Sequence, residues 1–136
     1  AHWNLLLDAG RRACRRLATH ARKAATKPER FLEAVTALEP EHRGVVTEIL
    51  SPAVAAWAEV SGDGSHQGAR ARLDPALADL FADFRAELIE LAGQATAAEL
   101  RARVDQAAAA LEQVGPQRLV QRILETRSNS DAPSQS

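Results

Sequence analysis

Apolar residues recur along this chain at steps of three and four, and nowhere do they alternate with polar ones over a useful length. That periodicity buries one face of an α-helix and argues against strands. The first helix is predicted from about Trp3 to Ala25. Trp3, Leu6, Leu7, Ala13, Cys14, Leu17, Ala18, Ala21, Ala24 and Ala25 fall on one side of it. Arg11, Arg12, Arg15, Arg16, Arg22 and Lys23 fall on the other. Gly10 lies on the apolar side, where a missing side chain marks a close helix crossing.

Punctuation residues divide the rest. Thr26 and Glu29 have the spacing of a capping box, and Pro28 suits an early helical position. Phe31, Leu32, Val35 and Leu38 form the next stripe. Pro40 is read as opening a third helix, with Val45, Val46, Ile49 and Leu50 inward. Pro52 is expected to end or kink it, because proline lacks the donor a helix needs. A segment with Val54 and Trp57 follows. The Gly-rich stretch over residues 61–68 reads as an exposed loop.

Asp74 and Pro75 are expected to begin a long helix carrying Leu77, Leu80, Phe81, Phe84, Leu88 and Leu91, stopped by Gly93. Thr96 and Glu99 form a second capping box. Leu100, Val104, Ala107, Leu111 and Val114 line the helix after it, until Gly115-Pro116 breaks the pattern. A last helix holds Leu119, Val120, Ile123 and Leu124. The expected fold is all-α: a compact bundle of five or six helices forming one domain over residues 1–127, with a disordered polar tail over 128–136.

Composition sharpens this picture. Hydrophobic residues make up 46% of the 136, enough for a packed core. Only 4% are aromatic, so stability rests on many small aliphatic contacts. The chain starts at Ala1 and has no Met, as expected of a processed chain or a piece of a longer protein. The single Cys14 excludes an internal disulfide and suits a reducing compartment. The longest apolar run, residues 52–58, is too short for a membrane span. A cytoplasmic or virion location is expected, without secretion.

Charge adds an asymmetry that the total of −1 hides. Residues 1–30 hold eight Lys and Arg against two acids, net +6; the remainder holds nine against sixteen, net −7. Such a division calls for an anionic partner at the first part, or for pairing between the parts.

Enzyme chemistry finds little support. No Gly-rich phosphate loop is present. Glu39 and His42 have a metal-like Glu-x-x-His spacing, but di-iron bundles need two such motifs and two further Glu residues. Acidic residues in a first turn are favoured by the helix dipole, so this pair reads as capping and solvation. Cys14 has basic neighbours yet lies on the apolar face, as a structural thiol does. Neither His2, His20 nor His66 has an identifiable partner. No catalytic residue, metal ligand or cofactor is assigned.

The stretch 31–35 (FLEAV), then 41–46 (EHRGVV) and 49–52 (ILSP), preceded by an Arg/Ala-rich helix, resembles the helical C-terminal region of some tailed-phage portal proteins. The resemblance covers residues 10–57, and the β-rich body of a portal subunit is absent. It implies a portal or head component in a ring-shaped assembly with DNA passing nearby, and it brings no catalytic residues. The expected function is therefore a non-enzymatic structural or assembly module, a homo-oligomer or bound to a protein partner. The alternative is a nucleic-acid-binding module using Arg11, Arg12, Arg15, Arg16, Arg22 and Lys23, whose planar guanidinium forks match phosphate and carboxylate alike. No membrane partner or small-molecule substrate is expected.

Overall fold

The structure, a computed structural model, describes the backbone of residues 2–60 and 66–135 and the side chains of 3–59 and 71–125. The described residues are all-helical. Four α-helices follow one another: α1 (His2–Ala24), α2 (Phe31–Val60), α3 (His66–Gln94) and α4 (Ala97–Gln135), with a 3₁₀ turn at Pro28–Arg30. Contacts run from α1 to α2, α2 to α3, α3 to α4 and α4 back to α1, the ring of a four-helix bundle.

The expected five or six helices become four because the chain stays helical through its prolines. Pro40 and Pro52 lie inside α2, and Pro75 inside α3. The apolar stripe of α2 explains its continuity. Phe31, Val35, Leu38, Val46, Leu50, Ala53, Val54 and Ala58 are all buried, and their spacing stays in phase across both prolines. Pro40 and Pro52 point outward. A break at either would rotate half the stripe off the core. An internal proline costs about 3 kcal/mol, whereas each large apolar side chain kept buried contributes about 1.5–3 kcal/mol. Near Pro52 the hydroxyls of Thr47 and Ser51 donate back to Arg43 O (2.8 Å) and Thr47 O (2.7 Å).

Gly115-Pro116 likewise fails to break α4. Leu100, Val104, Ala107, Ala108, Leu119, Val120 and Ile123 are buried on one continuous face. Val114 is exposed, and Gly115 takes the inward position instead. The expected crossing at Gly10 is here: a methyl on Gly10 would sit 3.4 Å from Pro116 Cα. One on Gly115 would sit 2.9 Å from both Cys14 Sγ and Leu111 Cδ1. Small residues thus bring α1 and α4 close.

The Thr96–Glu99 box forms as expected. Glu99 N–H donates to Thr96 Oγ1 (3.2 Å), and Thr96 N–H donates to Glu99 Oε1 (3.0 Å). The Thr26–Glu29 box does not form. Thr26 Oγ1 donates backward to Lys23 O at 2.6 Å, closing the end of α1 instead. Gly93 lies within the last turn of α3 rather than beyond it. The Gly-rich loop expected over 61–68 falls largely outside the described residues, and α3 includes its last three positions. The tail expected over 128–136 falls where no side chains are described, with backbone helix assigned through Gln135. No described helix is long and apolar enough to cross a membrane.

Candidate functional site

The two faces of α1 separate cleanly. Leu6, Leu7, Ala13, Cys14, Leu17, Ala18, Ala21 and Ala24 are buried, while Trp3 stays exposed. Cys14 is enclosed by the α1–α4 crossing. Burial, with a smaller push from Glu112, raises its thiol to about 12. It is neutral at physiological pH and inert as a nucleophile.

The six basic residues of α1 do not act as one patch. Arg11 bonds Asp8 one turn back at 2.9 Å. Arg22 turns toward α4, where its Nε donates to Asp105 Oδ1 at 2.8 Å and its Nη1 pairs with Glu112. Those hydrogen bonds, to Asp105 first and then Glu112, raise its already high pKa. The remaining four, Arg12, Arg15, Arg16 and Lys23, turn the other way. They line a groove of about 900 Å³ between α1 and the first part of α2. Lys27 and Arg30, from the connection, complete its cationic rim. Glu33 and Glu41 are the acids on its walls. Among the described residues, none of the six rim cations makes an ion pair.

Two histidines lie at the base of this groove, one from each helix. Arg16 Nε–H donates to His42 Nδ1 at 3.1 Å. Arginine has only donors, so His42 must accept there and carry its proton on Nε2. That proton is donated to His20 Nδ1 at 2.9 Å. His20 in turn must be protonated on Nε2, which donates to Ala34 O at 2.9 Å. The chain runs in one direction, from a cation to a backbone carbonyl, through two neutral imidazoles packed edge-on at 81°. Burial pushes the His42 pKa down, and His20 and Arg16 add to this while Glu41 opposes it.

Glu39 and His42, whose spacing in the sequence is metal-like but reads as capping and solvation, do not meet in the structure. Glu39 pairs with Arg43 and lies 3.8 Å from Arg85, turned toward α3. The carboxylate beside the histidines is Glu41, with Oε2 3.7 Å from His20 Nδ1 and 4.0 Å from His42 Nε2. Among the described residues, His20, Glu41 and His42 form a group whose donor atoms could meet one metal ion. A signal for both histidines was present in the stripes. His42 stands midway between Leu38 and Val46, and His20 between Leu17 and Ala24, each a polar residue at an apolar phase. Their meeting was not legible, because it depends on how α1 turns against α2. Comparison of the chain with known protein families, with curated proteins and with solved structures gives no match.

Proposed function

We propose that this protein is a non-enzymatic binding module whose α1–α2 groove holds the phosphate backbone of a nucleic acid. The observation that carries this reading is the set of six rim cations without acidic partners, in a chain whose other basic side chains often have them. Arg12 to Lys23 spans roughly 17 Å at the helical rise, room for several phosphates. The apolar floor offers only alanines. A protein partner would be anchored by large buried side chains, for which Ala24, Ala34 and Ala37 make poor pockets. No Phe, Tyr or Trp lines the groove, and the rings of His20 and His42 pack edge-on against each other, so recognition follows charge and not sequence.

Fluorescence anisotropy with labelled single- and double-stranded DNA tests this. If about five cations meet phosphates, log K falls against log salt with a slope near −4 to −5. Arg12→Glu with Arg15→Glu lowers affinity more than tenfold, whereas Arg118→Glu on α4 does not. A flat salt response, or equal affinity in the two variants, defeats the reading.

The oligomerising structural module has its own support in a shallow, mainly apolar hollow of about 310 Å³, lined by Leu5 of α1 and by Val45, Ile49 and Pro52 of α2, with Arg12 and Glu48 as its charged residues. A ring-forming head component, as the portal resemblance implies, would use such a surface between subunits. Light scattering separates the readings. An assembly that Leu5→Asp dissolves supports this one, and a monomer at high concentration removes it.

A further inference from the structure

The histidine pair faces a carboxylate across a space about the size of a metal ion. We propose that His20 Nδ1, His42 Nε2 and Glu41 Oε2 bind a zinc-class divalent ion that joins α1 to α2 at the base of the groove. The three atoms are already close to one another, at 2.9, 3.7 and 4.0 Å. Ligands at about 2.0–2.2 Å around a tetrahedral ion stand a little over 3 Å apart. The two imidazoles therefore need to part by a few tenths of an ångström, and Glu41 to close by less than 1 Å. Glu41 has the freedom to do so, with a side chain 60% exposed.

The surroundings meet two further requirements of such a site. A liganding histidine needs its other nitrogen fixed by an acceptor, and His20 Nε2–H already donates to Ala34 O. Three protein ligands leave a fourth position, which opens into the groove for water or for an anionic oxygen. Two imidazoles and one carboxylate favour zinc, cobalt or nickel over calcium and magnesium, which prefer all-oxygen shells.

The ion takes the position between the rings that the His42 Nε2 proton now occupies. To ligate through Nε2 as a neutral imidazole, His42 must carry that one proton on Nδ1 instead, reached by exchange with solvent, where Arg16 Nε–H currently points. Two donors cannot face each other, so metal entry turns Arg16 into the groove. The two states of Arg16 exclude one another: bonded to His42 without metal, released with it. This inference does not depend on the nucleic-acid reading, because the probe is the metal alone.

Isothermal titration of the whole chain with zinc chloride, paired with the visible absorption of its cobalt form, provides the test. The expected result is one equivalent per chain and the cobalt bands of a four-coordinate site. His42→Ala and Glu41→Gln each weaken binding at least tenfold with the helical circular dichroism unchanged. Glu41→Gln guards against misfolding, since it alters a surface side chain only. A His2→Ala/His66→Ala variant binds as the parent does. Absence of uptake, parental affinity in Glu41→Gln, or loss of binding in the His2/His66 variant overturns the site.

Discussion

At the residue scale, the tightest constraint is the meeting of Cys14 with Gly115. A methyl group at Gly115 would lie 2.9 Å from the Cys14 sulfur and from a Leu111 methyl. Leu111 is half-buried and has room to adjust, but Cys14 is fully enclosed. Overpacking of this kind costs about 1–3 kcal/mol, against a helix-propensity gain of at most about 1 kcal/mol. Gly115→Ala should therefore lower stability, by about 1 kcal/mol, in urea unfolding. Gly10 faces the same crossing with ordinary contact distances to Pro116, the closest 3.4 Å. Gly10→Ala should leave the midpoint unchanged or raise it. If both variants behaved alike, the crossing would not be as close as described.

At the element scale, Gly44 offers a cleaner case. It sits inside α2, exposed, with nothing within 4 Å of the position its side chain would take. Gly44→Ala removes backbone freedom from the unfolded chain and adds no collision, so it should stabilise the protein by about 0.5–1 kcal/mol in thermal or urea unfolding. A loss of stability would mean that α2 needs flexibility between its two prolines. The helical character of every element, and most buried residues, were legible from apolar spacing alone. The helix count is not, because proline and glycine carry a local cost to a helix whose outcome is decided by distant packing. In α2 the phase of Leu38, Val46 and Leu50 across Pro40 outweighs that local cost. In α4 the phase of Leu111, Gly115 and Leu119 does the same. The candidate site was half legible. The amphipathic split of α1 gave its cations, but Arg11 and Arg22 have acidic partners, and only the fold shows that Lys27 and Arg30 take their place at the rim.

At the scale of the whole molecule, α1 is the shared element. It packs on α4 through Gly10, Cys14, Gly115 and Pro116, and on α2 through the histidine chain. Its charge is therefore divided between two duties. One cation, Arg22, bridges to acids of α4, and four look into the groove. Solvent-screened pairs such as that of Arg22 with Asp105 and Glu112 contribute less than about 1 kcal/mol each. Their effect is on orientation more than stability. With Arg22 tied to α4 on one flank and Arg16 to His42 on the other, rotation of α1 about its axis would break contacts on both sides.

That bracing has a consequence in time. If the groove holds nucleic acid as proposed, a helix held on both flanks presents its cations before the ligand arrives, and no rearrangement of the backbone has to precede capture. Arrival is then governed by diffusion through the groove's field, and residence by how readily salt competes for the same charges. Rapid mixing with a labelled oligonucleotide should show a single phase whose rate rises in proportion to protein concentration without levelling off. That rate should fall steeply as ionic strength increases. A plateau in the observed rate would reveal a slow opening step and mean that α1 is not braced. On the proposed nucleic-acid reading, a protein built this way would catch its ligand quickly and hold it for a time that salt shortens.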